Sequence, residues 1–308
     1  MSEAPLSGVP ANGGHVADEP GDGAARILDR GYRRFDGERS GVRGAVRSVA
    51  WHTTRSILGL GRPARHKIFP VIVVLVSFMP ALVFLGIAAL FGDLLDDTIR
   101  PDYWEFFGFA FIATLLFTSM IAPEAIVRDR RDKMFSLYLS TPLTKPSYLA
   151  AKAIAVLSTM ALVVVAPPVL WLLGYTFQSQ GPDGVGGWFG VMGRIVLAGI
   201  AICIVYSAVG LGAASLTDRR AFASIAVVFV LLGASIAVNV LVESADVSQA
   251  IRLLDPLGLG FEIPPRVFGD RTFEYDDVPT WQVAAACIGW TSAGVGTIIA
   301  RYRKLAAV

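Results

Sequence analysis

Long runs of apolar residues, separated by short charged segments, dominate the chain. The first run, residues 68–91, contains 24 residues and no charge. A helix of that length measures about 36 Å, which is enough to cross a hydrocarbon core of about 30 Å. The pattern predicts an all-α integral membrane fold with six transmembrane helices, at about residues 68–91, 106–123, 149–173, 189–216, 221–242 and 281–300.

Prolines and polar residues modify this pattern in two places. Pro167 and Pro168 fall near the outer end of the third run, where they predict a kink or the end of the helix. The outer loop 243–280 is the longest loop, and it is too polar and too interrupted by Pro and Gly to span a membrane. Short re-entrant or external helices and a plain surface loop are both compatible with it.

Residues 1–40 are predicted to form a disordered cytoplasmic tail. Gly, Ala, Pro and Asp are frequent at its start, and such a segment cannot bury enough apolar surface to order itself. Further along, Tyr32 and Phe35 alternate with arginines, but Asp29 and Asp36 balance the charge. Contact with the membrane surface or with a partner protein is therefore favoured over nucleic-acid binding.

Residues 41–67 are predicted to contain an amphipathic helix that lies in the membrane interface. Between residues 42 and 60, apolar positions such as Val46 alternate with basic ones such as Arg47. Trp51 is a residue type that favours the level of the lipid headgroups. The alternative is a small soluble helix that packs on nothing.

The distribution of positive charge predicts the orientation. Only 17% of the residues are charged, compared with about a quarter in a typical soluble domain, and the charges lie between the apolar runs. If the N-terminus is inside, the inner flanks carry sixteen Lys and Arg residues and the outer loops carry four. Because basic flanks stay on the cytoplasmic side, we expect a multi-pass protein of the bacterial cell membrane with both termini in the cytoplasm, including the tail 301–308.

No catalytic, cofactor or metal site is recognisable in the sequence. The chain has no GxxxxGK[ST] phosphate-binding loop, and its three histidines all precede the first apolar run. None of them can serve as the base for a membrane-embedded serine. Cys203 and Cys287 lie in apolar runs, where we expect small buried hydrophobes. The chain is therefore expected to have no enzyme activity and no cofactor of its own.

The predicted spans also lack acidic residues at membrane depth. Lys152 and Arg194 lie near the ends of their spans, where long side chains can reach the interface. Carriers driven by ion gradients usually place Asp, Glu or His within the membrane, although some bind ions through carbonyls and hydroxyls. The pattern favours a transporter whose energy enters from elsewhere.

The segment 124–146, between the second and third runs, is the most informative part of the chain. The charged residues of its first ten positions are Glu124, Arg128, Asp129, Arg130, Arg131, Asp132 and Lys133. Helical spacing then places Phe135, Tyr138 and Leu139 on one face. A short cytoplasmic helix on which a partner docks and an ordinary solvated loop are both consistent with this pattern.

This segment resembles the membrane-domain subunit, or permease, of the type-2 ATP-binding-cassette (ABC-2) transporters. The matching features are an acidic residue, a run of mixed charge, an LxL segment, a TPL turn with a following base, and a Lys that opens the third span. They occur here as Glu124, Arg128–Lys133, Leu137–Leu139, Thr141–Lys145 and Lys152. In that family the segment forms a coupling helix that sits in a groove of the ATPase subunit.

The resemblance implies a site, partners and a further helix. The implied ATPase-coupling residues are Glu124, Arg128, Asp129, Arg130, Arg131, Asp132, Lys133, Phe135, Tyr138, Leu139 and Lys145. The interfacial helix resembles the family's elbow helix, and the stretch 31–39 resembles the N-terminal extension of actinobacterial members. ATP is expected on a separate ATPase subunit, and a second, identical permease copy and membrane lipid are the other expected partners.

Three functions follow as hypotheses. The first is the permease subunit of an ATP-driven ABC-2 exporter, in which ATPase closure pushes on the coupling segment. The second is a carrier driven by an ion gradient, and the third is a membrane assembly or anchoring protein that transports nothing. A membrane-embedded hydrolase fits poorly, because no base is available to it.

Overall fold

The structure, a computed structural model, describes most of the chain beyond the N-terminal tail. The described residues are 41–61, 63–64, 67–91, 101–132, 134, 138, 142–245, 248–270 and 277–305. The predicted disordered tail 1–40, the end of the predicted C-terminal tail at 306–308, and Lys133, Phe135 and Leu139 of the predicted coupling segment lie outside them.

Within these ranges the chain forms helices and no β-strand. The α-helices are α1 Gly41–Ile57, α2 Ile68–Phe91, α3 Phe106–Phe109, α4 Phe111–Arg131, α5 Lys145–Val164, α6 Ala166–Phe177, α7 Gly184–Ser215, α8 Arg220–Val228, α9 Ala234–Ala245, α10 Gly258–Phe268 and α11 Thr280–Leu305. A π-helical turn, Phe229–Gly233, joins α8 to α9, and a 3-10 helix, Gln249–Leu254, precedes α10.

Six helical segments of the described chain are long and apolar enough to cross a membrane. They are Ile68–Phe91, Phe111–Arg131, Lys145–Phe177, Gly184–Ser215, Arg220–Ser244 and Thr280–Arg303. The prediction of an all-α membrane fold with six spanning helices is confirmed. The second span begins later and ends later than the sequence indicates, because α4 continues through Pro123 and the charged residues as far as Arg131.

The core lies around α4 and α7, which are buried along most of their lengths. Phe117 and Ile121 of α4, Met160 of α5 and Ile195 of α7 are fully enclosed. The outer helices α2, α8, α9 and α11 keep wide apolar faces exposed, with Leu75 as one example. Such faces suit a lipid environment, where an exposed apolar side chain costs nothing.

The third span is broken at Val165, as its two prolines predict. Pro167 and Pro168 lack the N–H groups that would bond the carbonyls of residues 163 and 164, so α5 ends and α6 begins with these prolines in its first turn.

The long loop between the last two spans contains short helices, so the helical alternative holds and the plain surface loop does not. Its buried acids are each paired. Asp255 accepts hydrogen bonds from Ser235 Oγ (2.8 Å) and from the Leu257 backbone N–H (2.9 Å), and Glu262 forms an ion pair with Arg266 at 2.9 Å. Because these charges are compensated, a polar loop can pack against the apolar spans.

Two glycines let α7 and α11 pack backbone against backbone. A Cβ on Gly212 would lie 2.9 Å from the Cα of Gly294, and a Cβ on Gly294 would overlap the carbonyl oxygen of Ala208. Small residues of this kind are typical of helix crossings in membranes. They let the two backbones approach closely, which increases the dispersion contacts between the helices. The crossing holds the last span against the core of the bundle.

Replacing Gly294 by Ala should therefore destabilise the fold. The added methyl group meets backbone atoms that cannot rotate away, and overpacking of this kind costs about 1–3 kcal/mol. The matched control is Gly296→Ala on the same helix, where nothing lies within 4 Å of the new Cβ. Denaturant unfolding in detergent should show a loss for Gly294→Ala only, and equal stability of the two variants would contradict the tight crossing.

Candidate functional site

The residues that the sequence assigns to a coupling site meet at one end of the bundle. We call it the charged end: it is formed by the ends of α4, α7 and α11, the start of α5, and α1. The assigned residues do not form one surface there. Glu124, Asp129 and Arg130 turn inward and are buried, whereas Arg131 is 70% exposed and Lys145 is also exposed.

Arg128 and Asp132 are intermediate in exposure between the buried and the exposed residues of the segment. Their side chains are 39% and 38% exposed, and the Arg128 Nε lies 3.6 Å from the Asp132 Oδ2. The segment therefore has a buried part, which holds helices together, and an exposed part, which remains accessible to a partner.

Glu124 joins three helices. Its carboxylate accepts hydrogen bonds from Arg128 Nη1 (3.3 Å) on the same helix and from Ser56 Oγ (3.3 Å) on α1. Its second oxygen lies 3.1 Å from the Arg220 Nη1 at the start of α8. Arg128 Nη1 also donates to Ser56 Oγ at 2.6 Å. The buried carboxylate is thus compensated by two guanidinium groups and a hydroxyl.

Asp129 forms a second buried centre with Lys152. The Lys152 Nζ lies 2.6 Å from Asp129 Oδ2, which also accepts a hydrogen bond from the Tyr148 hydroxyl at 2.8 Å. Lys152 donates in turn to Thr53 Oγ1 on α1 at 3.0 Å. Its ammonium group lies 5.8 and 5.5 Å from the ring centres of Tyr138 and Tyr148, within cation–π range.

Arg130 binds the C-terminal end of α7. Its guanidinium donates to the carbonyls of Ser215 (2.9 Å), Ala214 (3.3 Å) and Thr217 (2.6 Å). The last carbonyls of a helix have no partner within the helix, and the helix dipole favours a cation beside them. Arg130 also pairs with Asp218 at 3.2 Å, and Arg301 of α11 approaches the same carboxylate at 3.7 Å.

Of the predicted coupling helix after Met134, the structure describes Tyr138. Its backbone N–H donates to the Met134 carbonyl at 3.1 Å, which is a helical spacing. Its ring lies 5.3 Å from that of Tyr148, so the segment is anchored to the Lys152 centre. Burial, and secondly the Asp129 carboxylate, raise the pKa of Tyr138 above its ordinary value, so its hydroxyl stays protonated at physiological pH.

Sequence reasoning missed most partners of these residues. Lys152 was expected to extend to the interface, but it is 3% exposed and its charge is compensated inside the protein. A single Lys within an apolar run was the available signal, because such a charge needs a nearby acid. Thr53, Ser56 and Arg220 carried no signal, since only the fold brings Thr53 to α5 and the other two to α4.

The charged end joins several helices through paired polar groups. Among the described residues, no group of three or more His, Cys, Asp and Glu side chains is placed to hold a metal ion. The polar groups instead pair with one another across α1, α4, α5, α7 and α8. A displacement of α4 here changes contacts on all of these helices at once.

Residues 102–300 match the model of a family described as ABC-2 family transporter protein. The match covers more than half of the chain and includes α3 to α10, most of α11 and the whole charged segment 124–146. None of the curated proteins compared with the chain matches it.

Removing one partner of the Asp129–Lys152 pair should destabilise the protein strongly. Lys152→Met leaves a buried carboxylate without its cation, which costs about 3–5 kcal/mol. The double variant Asp129→Asn with Lys152→Met removes both charges and should recover most of that loss of stability. The free energy of unfolding in detergent measures both effects.

The control for this pair is Arg131→Met, which removes an exposed charge and should change stability by about 0.5 kcal/mol or less. A loss in the double variant as large as in Lys152→Met would show that the two charges do not compensate each other.

Proposed function

The chain belongs to the ABC-2 family of transporter proteins, and from this premise we propose that it is the permease subunit of an ATP-driven exporter, coupled at its charged end to a separate ATPase subunit. Membership of this family supports a membrane permease that works with an ABC ATPase. Coupling at this site, export and the orientation with the charged end in the cytoplasm are parts of the proposal.

The observation that carries the proposal is the buried network beneath the charged segment. Arg130 bonds the end of α7, and Glu124 bonds α1 and α8. Asp129 pairs with Lys152 of α5, which in turn donates to α1. Ion pairs and charge-assisted hydrogen bonds resist separation more than apolar contacts that slide past each other. A push on the end of α4 is therefore passed to several spans together, as ATP-driven transport requires.

The exposed members of the segment supply a docking surface. Arg131, Asp132 and Lys145 present both signs of charge at the charged end. Mixed charges give register and selectivity to a protein contact. The excess of Lys and Arg at this end of the sequence supports its placement in the cytoplasm, where an ATPase has access to ATP.

A second copy of the chain completes the proposed transporter. Each copy would bind one ATPase, and closure of the two ATPases on ATP would move the two permeases against each other, so that a cavity alternates between the two sides of the membrane. Lipid, drug, peptide and glycan exporters of this family share the arrangement.

ATP hydrolysis in lipid tests the function. The purified chain alone should be inactive, and with the ATPase encoded beside it turnover should appear and respond to substrate. If no candidate ATPase forms a complex, the proposal fails, and flux driven by an ion gradient becomes the measurement that separates a carrier from an anchoring protein.

Charge reversal of the exposed residues should abolish docking without unfolding the spans. The variant Arg131→Glu with Lys145→Glu inverts two accessible positive charges, so repulsion at the interface should reduce ATPase co-purification at least tenfold, while the melting temperature changes little. The control is Asp183→Lys, which reverses an exposed charge at the start of α7, away from the charged end.

Arg130→Glu is expected to behave differently, because it removes the bonds to the α7 carbonyls and should lower stability as well as docking. If the ATPase still co-purifies with the Arg131 and Lys145 variant at wild-type stoichiometry, this surface is not the docking site.

A further inference from the structure

A groove of about 580 Å³ lies between α5, α7 and α11. Its walls are mostly apolar, with Leu157, Leu211 and Ile298 among the lining residues. It opens to the surface of the bundle through Ile204, Val295 and Ile299, each of which is about two-fifths exposed. The space falls within the range of about 300–1,000 Å³ that is typical of small-molecule sites.

The charge around this groove is positive. Lys145 at the start of α5, Lys152 and Arg303 near the end of α11 all line it, and among the described residues no acidic one does. Lys152 is compensated by Asp129. Lys145 and Arg303 are exposed and have no ion-pair partner in the part of the chain that the structure describes. Two uncompensated cations therefore stand at the charged end of an apolar groove.

A polar group inside the groove also lacks a partner. Ser207 is 4% exposed, and among the described residues its hydroxyl finds no hydrogen-bond acceptor. Buried hydroxyl groups in native proteins are nearly always bonded, so an orphaned one calls for a ligand or a water molecule. An ester carbonyl is an acceptor of the right kind.

We propose that this groove binds an anionic phospholipid. The headgroup phosphate lies between Lys145 and Arg303, an acyl chain follows the apolar walls past Leu157 and Ile298, and Ser207 Oγ donates to an ester carbonyl. Basic pockets between spanning helices on the cytoplasmic side are suited to anionic headgroups, and the opening toward the lipid admits an acyl chain. Only the choice of the inner leaflet depends on the proposed orientation.

A second copy of the chain is a poorer occupant. A dimer contact at the groove would bury Lys145 and Arg303 without supplying an acid, because no acidic residue of the described chain lines the groove. Burial of uncompensated cations is costly, whereas a lipid phosphate supplies the missing negative charge.

The test measures lipid binding to the purified chain without an ATPase, so a failure of the docking proposal leaves its result unaffected. Phosphatidylglycerol and phosphatidylcholine are titrated separately, and native mass spectrometry gives the bound number and the affinity. Each basic residue near an anionic headgroup is worth roughly fivefold in affinity, so Lys145→Gln with Arg303→Gln should weaken phosphatidylglycerol binding roughly thirtyfold.

Two further variants complete the experiment. Arg43→Gln with Arg47→Gln removes the same charge from exposed positions on α1 and should leave the tight site intact. Ala153→Phe fills the groove from α5 and should displace both lipids, while size-exclusion chromatography reports folding and oligomeric state.

Three results would overturn the proposal. An equal loss of phosphatidylglycerol affinity in the Lys145 and Arg303 variant and in the Arg43 and Arg47 variant would mean general attraction to a basic surface. Equal affinity for phosphatidylcholine would mean that the two cations do not select the headgroup. Unchanged lipid binding in Ala153→Phe, together with a smaller oligomer, would assign the groove to a second copy of the chain.

Discussion

A buried charge must be compensated, and the arrangement of the charged end follows from that constraint. Asp129 and Lys152 are each removed from water, and the cost of leaving either alone exceeds most other single contributions to the stability of a domain. Their pairing requires α4 and α5 to keep one register. The hydroxyl groups of Thr53 and Tyr148 complete the coordination of the pair, so α1 is held in register as well.

The same requirement explains why α4 extends beyond the apolar part of its sequence. The helix can continue through Glu124 and Arg130 because partners from other elements satisfy both charges. These partners are Arg220 for Glu124 and the last carbonyls of α7 for Arg130. Arg130 serves two needs at once, since it satisfies those carbonyls and neutralises Asp218. The last carbonyls of α7, which would otherwise bond to water, are thereby hydrogen-bonded within the protein.

The spans could be predicted from the sequence because hydrophobicity is a local property. The first span has the predicted bounds, residues 68–91, and the prolines after Val165 break the third span as expected. The division of the charged segment into buried and exposed residues could not be predicted, because most of the partners lie far away in the chain. Ser56 is 72 residues from Arg128, and no local pattern connects the two.

The opposite side of the bundle is held by a different kind of contact. There Phe84, Tyr103 and Phe106 surround Trp171, with ring centres 5.4 to 5.6 Å apart. Aromatic contacts of this kind tolerate a range of ring arrangements, whereas a charge-assisted hydrogen bond such as that of the Lys152–Asp129 pair confines its donor and acceptor to a narrow range of distances and angles. The contact between α2 and α6 is mostly apolar, and the Gln178 side chain at the end of α6 adds one hydrogen bond to the Leu85 carbonyl of α2 at 3.2 Å. The two ends of the bundle are thus held by contacts that differ in directionality, with charge-assisted hydrogen bonds at one end and ring packing at the other.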